Sequence, residues 1–196
     1  GYTNAGKSTL FNALTRSEIY AADQLFATLD TTARRCWVSE GRTVVLSDTV
    51  GFIRGLPTQL VEAFKSTLDE TVHADILLHV VDSNSSSRDE QIASVNSVLS
   101  QIHADGIPVI MVLNKIDASG LPQQTLRHPD GTVKSVAVSA VTGQGLDELR
   151  CALDEAAQLI SEQKASVPRE LEDWEMETQR ETVSDEQALR ELEALL

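Results

Sequence analysis

The first nine residues, Gly1-Tyr2-Thr3-Asn4-Ala5-Gly6-Lys7-Ser8-Thr9, follow the pattern G-x-x-x-x-G-K-S-T. These residue types at this spacing suit phosphate chemistry. The glycines let consecutive backbone N–H groups turn inward around an anion. A helix starting near Ser8 would aim the positive end of its dipole at the same anion. The Lys7 ammonium would neutralise β- and γ-phosphate oxygens, and the Ser8 hydroxyl suits Mg²⁺. A chance match in a glycine-containing turn is the plain alternative. Partners elsewhere in the chain decide between the two.

Three further groups supply such partners. Asp48-Thr49-Val50-Gly51 follows an apolar run, Thr43 to Ser47. An Asp at a strand end can hold Mg²⁺ through water, and the Gly51 N–H can meet a γ-phosphate oxygen. Asn114-Lys115-Ile116-Asp117 follows the apolar run Pro108 to Leu113. A carboxylate such as Asp117 only accepts. Guanine presents N1–H and its exocyclic amine side by side as matching donors, whereas adenine would leave the carboxylate unpaired. The Lys115 stem can cover the face of the base, and Asn114 can tie this loop to the first one. Ser139-Ala140 closes a third apolar run, Val133 to Val138, and the Ala140 N–H can donate to guanine O6.

These groups need rigid elements to position them. Leu10, Phe11 and Leu14 give residues 8–14 an apolar helical face. Arg34 to Val38 and Thr43 to Ser47 read as strands around a turn at Gly41. Thr58 to Val72 reads as a helix after Pro57. Ala74 to Val81 reads as a buried parallel strand. Ser87 and Glu90 form a capping-box pattern for a helix running toward Ile102. Pro108 to Leu113 and Val133 to Val138 are further buried strands, and a helix is expected from Leu146 to Ser161. Such alternation predicts an α/β fold with a mostly parallel sheet and helices on both faces. The chemistry-bearing residues gather at the C-terminal ends of the strands, where such sheets bind ligands. Residues 17–32 read as a long loop, and a loop of that kind is often functional. A P-loop should follow a buried strand. Nothing precedes Gly1, so the first central strand of the sheet is expected to be missing from this chain.

Composition bounds the rest. The 196 residues carry a net charge of −14, and 41% of them are hydrophobic. That suits one domain plus an appendage and argues against a general nucleic-acid surface or DNA as partner. Cys36 and Cys151 show neither pairing nor metal spacing, as in a reducing cytoplasm. His73, His79, His103 and His128 form no ligand motif. No apolar run reaches transmembrane length. Residues 161–196 hold eleven acidic and four basic residues. They read as an acidic, partly helical tail beyond a domain of residues 1–160, with a second capping pattern at Ser184 and Gln187.

Four motifs in this order, each at a strand end, resemble the Ras-like G domain of P-loop GTPases across residues 1–160. Ala21-Ala22-Asp23-Gln24-Leu25-Phe26-Ala27-Thr28-Leu29-Asp30-Thr31-Thr32 and Asp48-Thr49-Val50-Gly51-Phe52-Ile53-Arg54-Gly55-Leu56-Pro57 narrow the resemblance to the HflX family. These are bacterial, Obg-related GTPases that associate with the large ribosomal subunit. The resemblance implies GTP and GDP as ligands and hydrolysis to GDP and phosphate. It implies a catalytic set of Lys7, Thr28 and Gly51, and Mg²⁺ held by Ser8, Thr28 and Asp48. Thr31 and Thr32 compete with Thr28 on the residues alone; the Phe-x-Thr-Leu pattern favours Thr28. In related GTPases an asparagine placed like Asn4 helps to hold K⁺. The resemblance also implies a role in ribosome splitting or rescue; a monomer in the cytoplasm is expected. The family implies an N-terminal domain ahead of this stretch, which is expected to be missing from this chain.

Many GTPases place a glutamine after D-x-x-G to orient water. This chain has Phe52 there, which predicts slow intrinsic hydrolysis raised by a large partner. A nucleotide-dependent binding module with negligible hydrolysis is the alternative, and an inert truncated fragment is a third expectation.

Overall fold

The computed structural model describes residues 1–15, 32–49, 51 and 71–166. Residues 17–31 of the expected loop, most of the helix at 58–72, Thr28, Val50, Phe52 and the tail beyond Ser166 lie outside them, whereas Thr32, the last residue of that loop, is in a strand. The chain divides into two units, Gly1–Ile160 and Ser161–Leu196.

Ten elements are built from the described residues. Helix α1 spans Lys7–Thr15 and buries Leu10, Phe11 and Leu14. Strands β1 (Thr32–Ser39) and β2 (Arg42–Asp48) form an antiparallel hairpin. Its turn uses Gly41 at φ +82, a conformation that strains any residue with a Cβ. Then come β3 (Leu77–Asp82), α2 (Arg88–Gln101), β4 (Val109–Asn114), the short α3 (Ile116–Ser119), β5 (Thr125–Arg127), β6 (Val133–Ala137) and α4 (Leu146–Ser166). The hairpin is one sheet. The second has strand order β3-β4-β6-β5, with β3, β4 and β6 parallel and β5 antiparallel at the edge.

Side-chain alternation in β3 separates two apolar layers. Leu78 and Val80 join a core with Leu10 and Leu14 of α1, Cys36 and Val38 of β1, and Leu149, Ala152 and Leu153 of α4. Leu77 joins a second cluster with Val95 and Leu99 of α2 and with Tyr2. Successive strand residues point to opposite faces, so the four-stranded sheet carries helices on both sides. That is the α/β, Ras-like arrangement expected from the sequence.

Two details differ from the expectation. Ser87 precedes α2, but its side chain makes no capping bond. Its ψ of 21 lies outside the extended region that a capping residue needs. Ser85 Oγ instead accepts the Ser87 N–H at 3.3 Å and the Gln91 amide at 3.2 Å. Strand β5 was not expected, because three residues are too few to show a period. It is fixed by tertiary contacts: Arg127 pairs with Glu155 of α4 at 2.7 Å.

Helix α4 also grips the hairpin. Arg150 Nη1 donates to Trp37 O at 2.7 Å, and Arg150 Nη2 donates to Leu14 O at 3.0 Å. One turn on, Asp154 Oδ1 accepts from Ser39 Oγ at 2.8 Å and from Arg42. Among the described residues no helix is long and apolar enough to cross a membrane.

Candidate functional site

The first loop is held in a shape that few sequences tolerate. Asn4 and Gly6 both have positive φ, +62 and +89. Asn is among the few non-glycine residues that accept this region. The Ala5 N–H closes the turn on Tyr2 O at 3.3 Å, and the Leu10 N–H begins the helical ladder on Gly6 O at 2.9 Å. Lys7, Ser8 and Thr9 therefore form the first turn of α1, where helix N–H groups lack intrahelical acceptors. A Cβ on Gly6 would collide with Asn114 Nδ2, so this glycine is demanded by close approach as well as by φ.

Lys7 Nζ donates to Tyr2 O at 3.1 Å. Burial pushes its pKa down to about 8, and the nearby Asp48 carboxylate opposes that shift. Gly51 lies against the same groups. A Cβ there would stand 2.8 Å from Lys7 Nζ and 2.9 Å from Thr3 Oγ1.

Ser8 Oγ donates to Asp48 Oδ2 at 2.6 Å. Asp48 is the last residue of β2 and is buried, and Thr49 follows it directly. A hydroxyl and a single carboxylate are the hard oxygen donors that Mg²⁺ takes while keeping several waters. The residues present fit that ion. Among the described residues, no three His, Cys, Asp or Glu side chains converge into a denser metal site.

Asn114, at the end of β4, is 2% exposed and bridges two loops. Its Nδ2 donates to Ala5 O at 2.9 Å, and its Oδ1 accepts the Ala140 N–H at 3.0 Å. The Ala140 N–H, which the sequence offers to guanine O6, thus donates to a protein partner in this structure. An amide carries one proton, so a contact with a base would have to share or displace Asn114. Ser139 beside it is fully buried, and its Oγ accepts the Thr142 N–H at 3.1 Å. Its N–H donates to Gln144 O at 2.8 Å. These bonds shape the loop between β6 and α4.

Lys115 stands at φ +66 and precedes α3, so Asp117 lies exposed in the first turn of that helix. Lys115 Nζ donates to Asn4 O at 2.8 Å and to Asp82 Oδ2 at 2.8 Å. The first loop, the ends of β2, β4 and β6, and the starts of α1 and α3 thus meet in one place. Sequence reasoning passed over Asp82. Its signal was an acidic residue ending an apolar strand, the same placement that singled out Asp48.

Comparison with known proteins gives a consistent result. Residues 1–115 match the family model described as 50S ribosome-binding GTPase. The GTPase HflX of Caldanaerobacter subterraneus subsp. tengcongensis is 52% identical over 154 residues, 79% of this chain and 35% of that protein. The GTPase HflX of Escherichia coli is 51% identical over 156 residues, 79% of this chain and 37% of that protein. The chain therefore spans little more than a third of the length of these curated relatives. Among solved structures, a GTP-binding protein from the hyperthermophilic archaeon Sulfolobus solfataricus in complex with GDP aligns with a TM-score of 0.61 and 31% identity, covering 81% of this chain and 51% of that one. A point variant of Aquifex aeolicus Era bound to GDP·AlF4⁻ aligns at 0.60 and 26% identity, covering 80% and 54%. On the match over residues 1–115 and these HflX relatives, the chain belongs to the 50S ribosome-binding GTPase family and is of the HflX type.

Proposed function

We propose that this chain binds GTP and GDP with Mg²⁺ and hydrolyses GTP, in association with the large ribosomal subunit. The observation that carries the nucleotide part is the Asn114 bridge. One buried side chain joins the phosphate-type loop at Ala5 to the loop at Ala140. Such a bridge fixes the distance between a phosphate site and a base site, as one nucleotide occupying both requires. Lys7 and the N–H groups of the first loop and of α1 hold the phosphates. Asp117 accepts from the guanine N1–H and amine, which selects against adenine. Ser8, Asp48 and Thr28 hold Mg²⁺, which screens charge on the β- and γ-phosphates when bound. Thr28 and Gly51 respond to the γ-phosphate.

Phe52 has no group that orients an attacking water, so intrinsic turnover is slow and a partner raises it. Asn4 contributes to a K⁺ site near the phosphates, supplying charge that an arginine supplies in other systems. The family description, 50S ribosome-binding GTPase, supports the large ribosomal subunit as that partner; a role in ribosome splitting or rescue in the cytoplasm is part of the same proposal and rests on the resemblance alone.

Titration of the chain with fluorescent GDP, competed by GDP and by ADP, tests the nucleotide reading. Micromolar or tighter binding displaced by GDP alone supports it; equal displacement by ADP overturns guanine selection. Phosphate release with and without purified large subunits, in matched KCl and NaCl, tests the rest. Phe52 also favours a second reading, a nucleotide-dependent binding module with negligible turnover. Unstimulated turnover with large subunits present would select it.

A further inference from the structure

We propose that Asp82 is a positioning residue for nucleotide binding: it fixes the Lys115 side chain and thereby the spacing between the first loop and the base loop. The proposal rests on the nucleotide reading above.

Lys115 has a long, flexible stem that must be ordered to bridge two loops. Its ammonium has two acceptors, Asn4 O and Asp82 Oδ2, each at 2.8 Å. Only Asp82 is charged, so it supplies the stronger bond. The pair is partly shielded, with side chains 30% and 21% exposed for Lys115 and Asp82.

Asp82 is itself anchored. It ends β3 opposite Asn114 in the parallel register. Its Oδ1 accepts the Asn84 N–H at 2.9 Å. The next residue binds the base loop on either side of Lys115: the Ser83 N–H donates to Asn114 O at 2.9 Å, and Ser83 Oγ lies 2.8 Å from Ser119 Oγ. The end of β3 is thus a fixed post, and Lys115 spans from it to the crest of the first loop at Asn4. Without Asp82 the ammonium keeps only a neutral carbonyl, and the left-handed Lys115 backbone loses a restraint from its own side chain.

The test is a double-mutant cycle on the full chain with fluorescent GDP, combining Asp82→Asn with Lys115→Ala. Thermal unfolding of the nucleotide-free proteins by circular dichroism runs alongside. Asp82→Asn is nearly isosteric and should raise the GDP Kd roughly tenfold, as expected for loss of a charge-assisted hydrogen bond. In the Lys115→Ala background the same change should shift Kd less than twofold, because its target is gone. Asp82→Glu keeps the charge and should recover part of the affinity. A loss of the same size with and without Lys115 would mean that Asp82 acts on the fold generally, which overturns the assignment. So would an unchanged Kd in Asp82→Asn. If Asp82→Asn unfolds, the Asp82→Glu and Lys115→Ala arms decide: equal Kd for Asp82→Glu and wild type beside an undiminished Lys115→Ala protein overturns it. Failure of the wild-type chain to bind GDP at all is a different result. It removes the nucleotide reading, and this assignment falls with it.

Discussion

Ser8 Oγ and Asp48 Oδ2 lie 2.6 Å apart although forty positions separate them in the chain. One comes from the first turn of α1 and the other from the end of β2. Their meeting joins a hydroxyl and a carboxylate that have no local reason to be neighbours, the pair proposed above to hold Mg²⁺. Substituting Ser8→Ala or Asp48→Asn should weaken GDP binding about tenfold to a hundredfold in Mg²⁺, since hydrogen bonds to charged groups contribute about 1.5–3 kcal/mol. The same variants should bind almost as wild type does in EDTA. Fluorescent GDP titrations with and without Mg²⁺ check this, and an equal loss in EDTA would count against the metal assignment.

Lys7 gives a pH dependence with a definite sign. Its pKa in the folded chain is about 8, against an ordinary 10.5, chiefly because it is buried. Bound phosphates would keep it protonated. Affinity for GDP should therefore be flat below pH 8 and fall above it, by up to about tenfold per pH unit from this group. Calorimetry in buffers of different ionisation enthalpy should show proton uptake on binding near pH 8. For the nucleotide-free chain the sign is opposite. Between about 8 and 10.5 the unfolded state holds the proton and the folded state does not, so this lysine's contribution to stability becomes more favourable as pH rises through that window. Below 8 both states are protonated and the full burial penalty stands.

Asn114 serves two loops with one amide. Asn114→Ala leaves the Ala5 carbonyl and the Ala140 N–H without that partner in a buried place. Each such orphan costs about 1–3 kcal/mol. The variant should lose about 2–5 kcal/mol in urea unfolding and lose GDP binding by a larger factor than any single surface change. Full retention of affinity would show that the two loops do not need the bridge.

Arg150 links α4 to the last turn of α1 and to the hairpin, through Leu14 O and Trp37 O. Replacing it with Ala should destabilise the chain by about 2–4 kcal/mol, because two carbonyl partners and a packed side chain are lost together. Nucleotide contacts are not involved, so GDP affinity measured well below the unfolding transition should stay within about twofold. Urea denaturation and GDP titration on one preparation separate the two effects.

The elements that could be read along the chain were those with a local signature. Apolar runs gave β3, β4 and β6 to within a few residues of their ends. Helical spacing gave α1 and α4, though α4 extends to Ser166 rather than Ser161. The pattern at Ser87 and Glu90 located the start of α2 correctly, with Ser87 at the N-cap position and Ile102 at the other end, but the Ser87 side chain makes no capping bond. Strand β5 was invisible because an edge strand of three residues has no pattern of its own.

The sequence alone determined the chemistry of the first loop. Glycines, Lys7 and Ser8 at fixed spacing have few other uses, and backbone sterics act over just such short distances. It also marked Asp48, Asn114 and Ser139 by their position at strand ends. That Asn114 ties its loop to the first one, and that Ser8 and Asp48 come together, was legible too. Only the tertiary structure decided the remaining contacts: Asn114 also engages Ala140, and Lys115 reaches Asn4 and Asp82. The physical reason is register. Parallel pairing of β3 with β4 puts Asp82 level with Asn114, and β4 with β6 brings Leu113 beside Ala137. That alignment is set by packing on both faces of the sheet. No single strand carries it, so the partners of each loop exist only once the strands have been stacked.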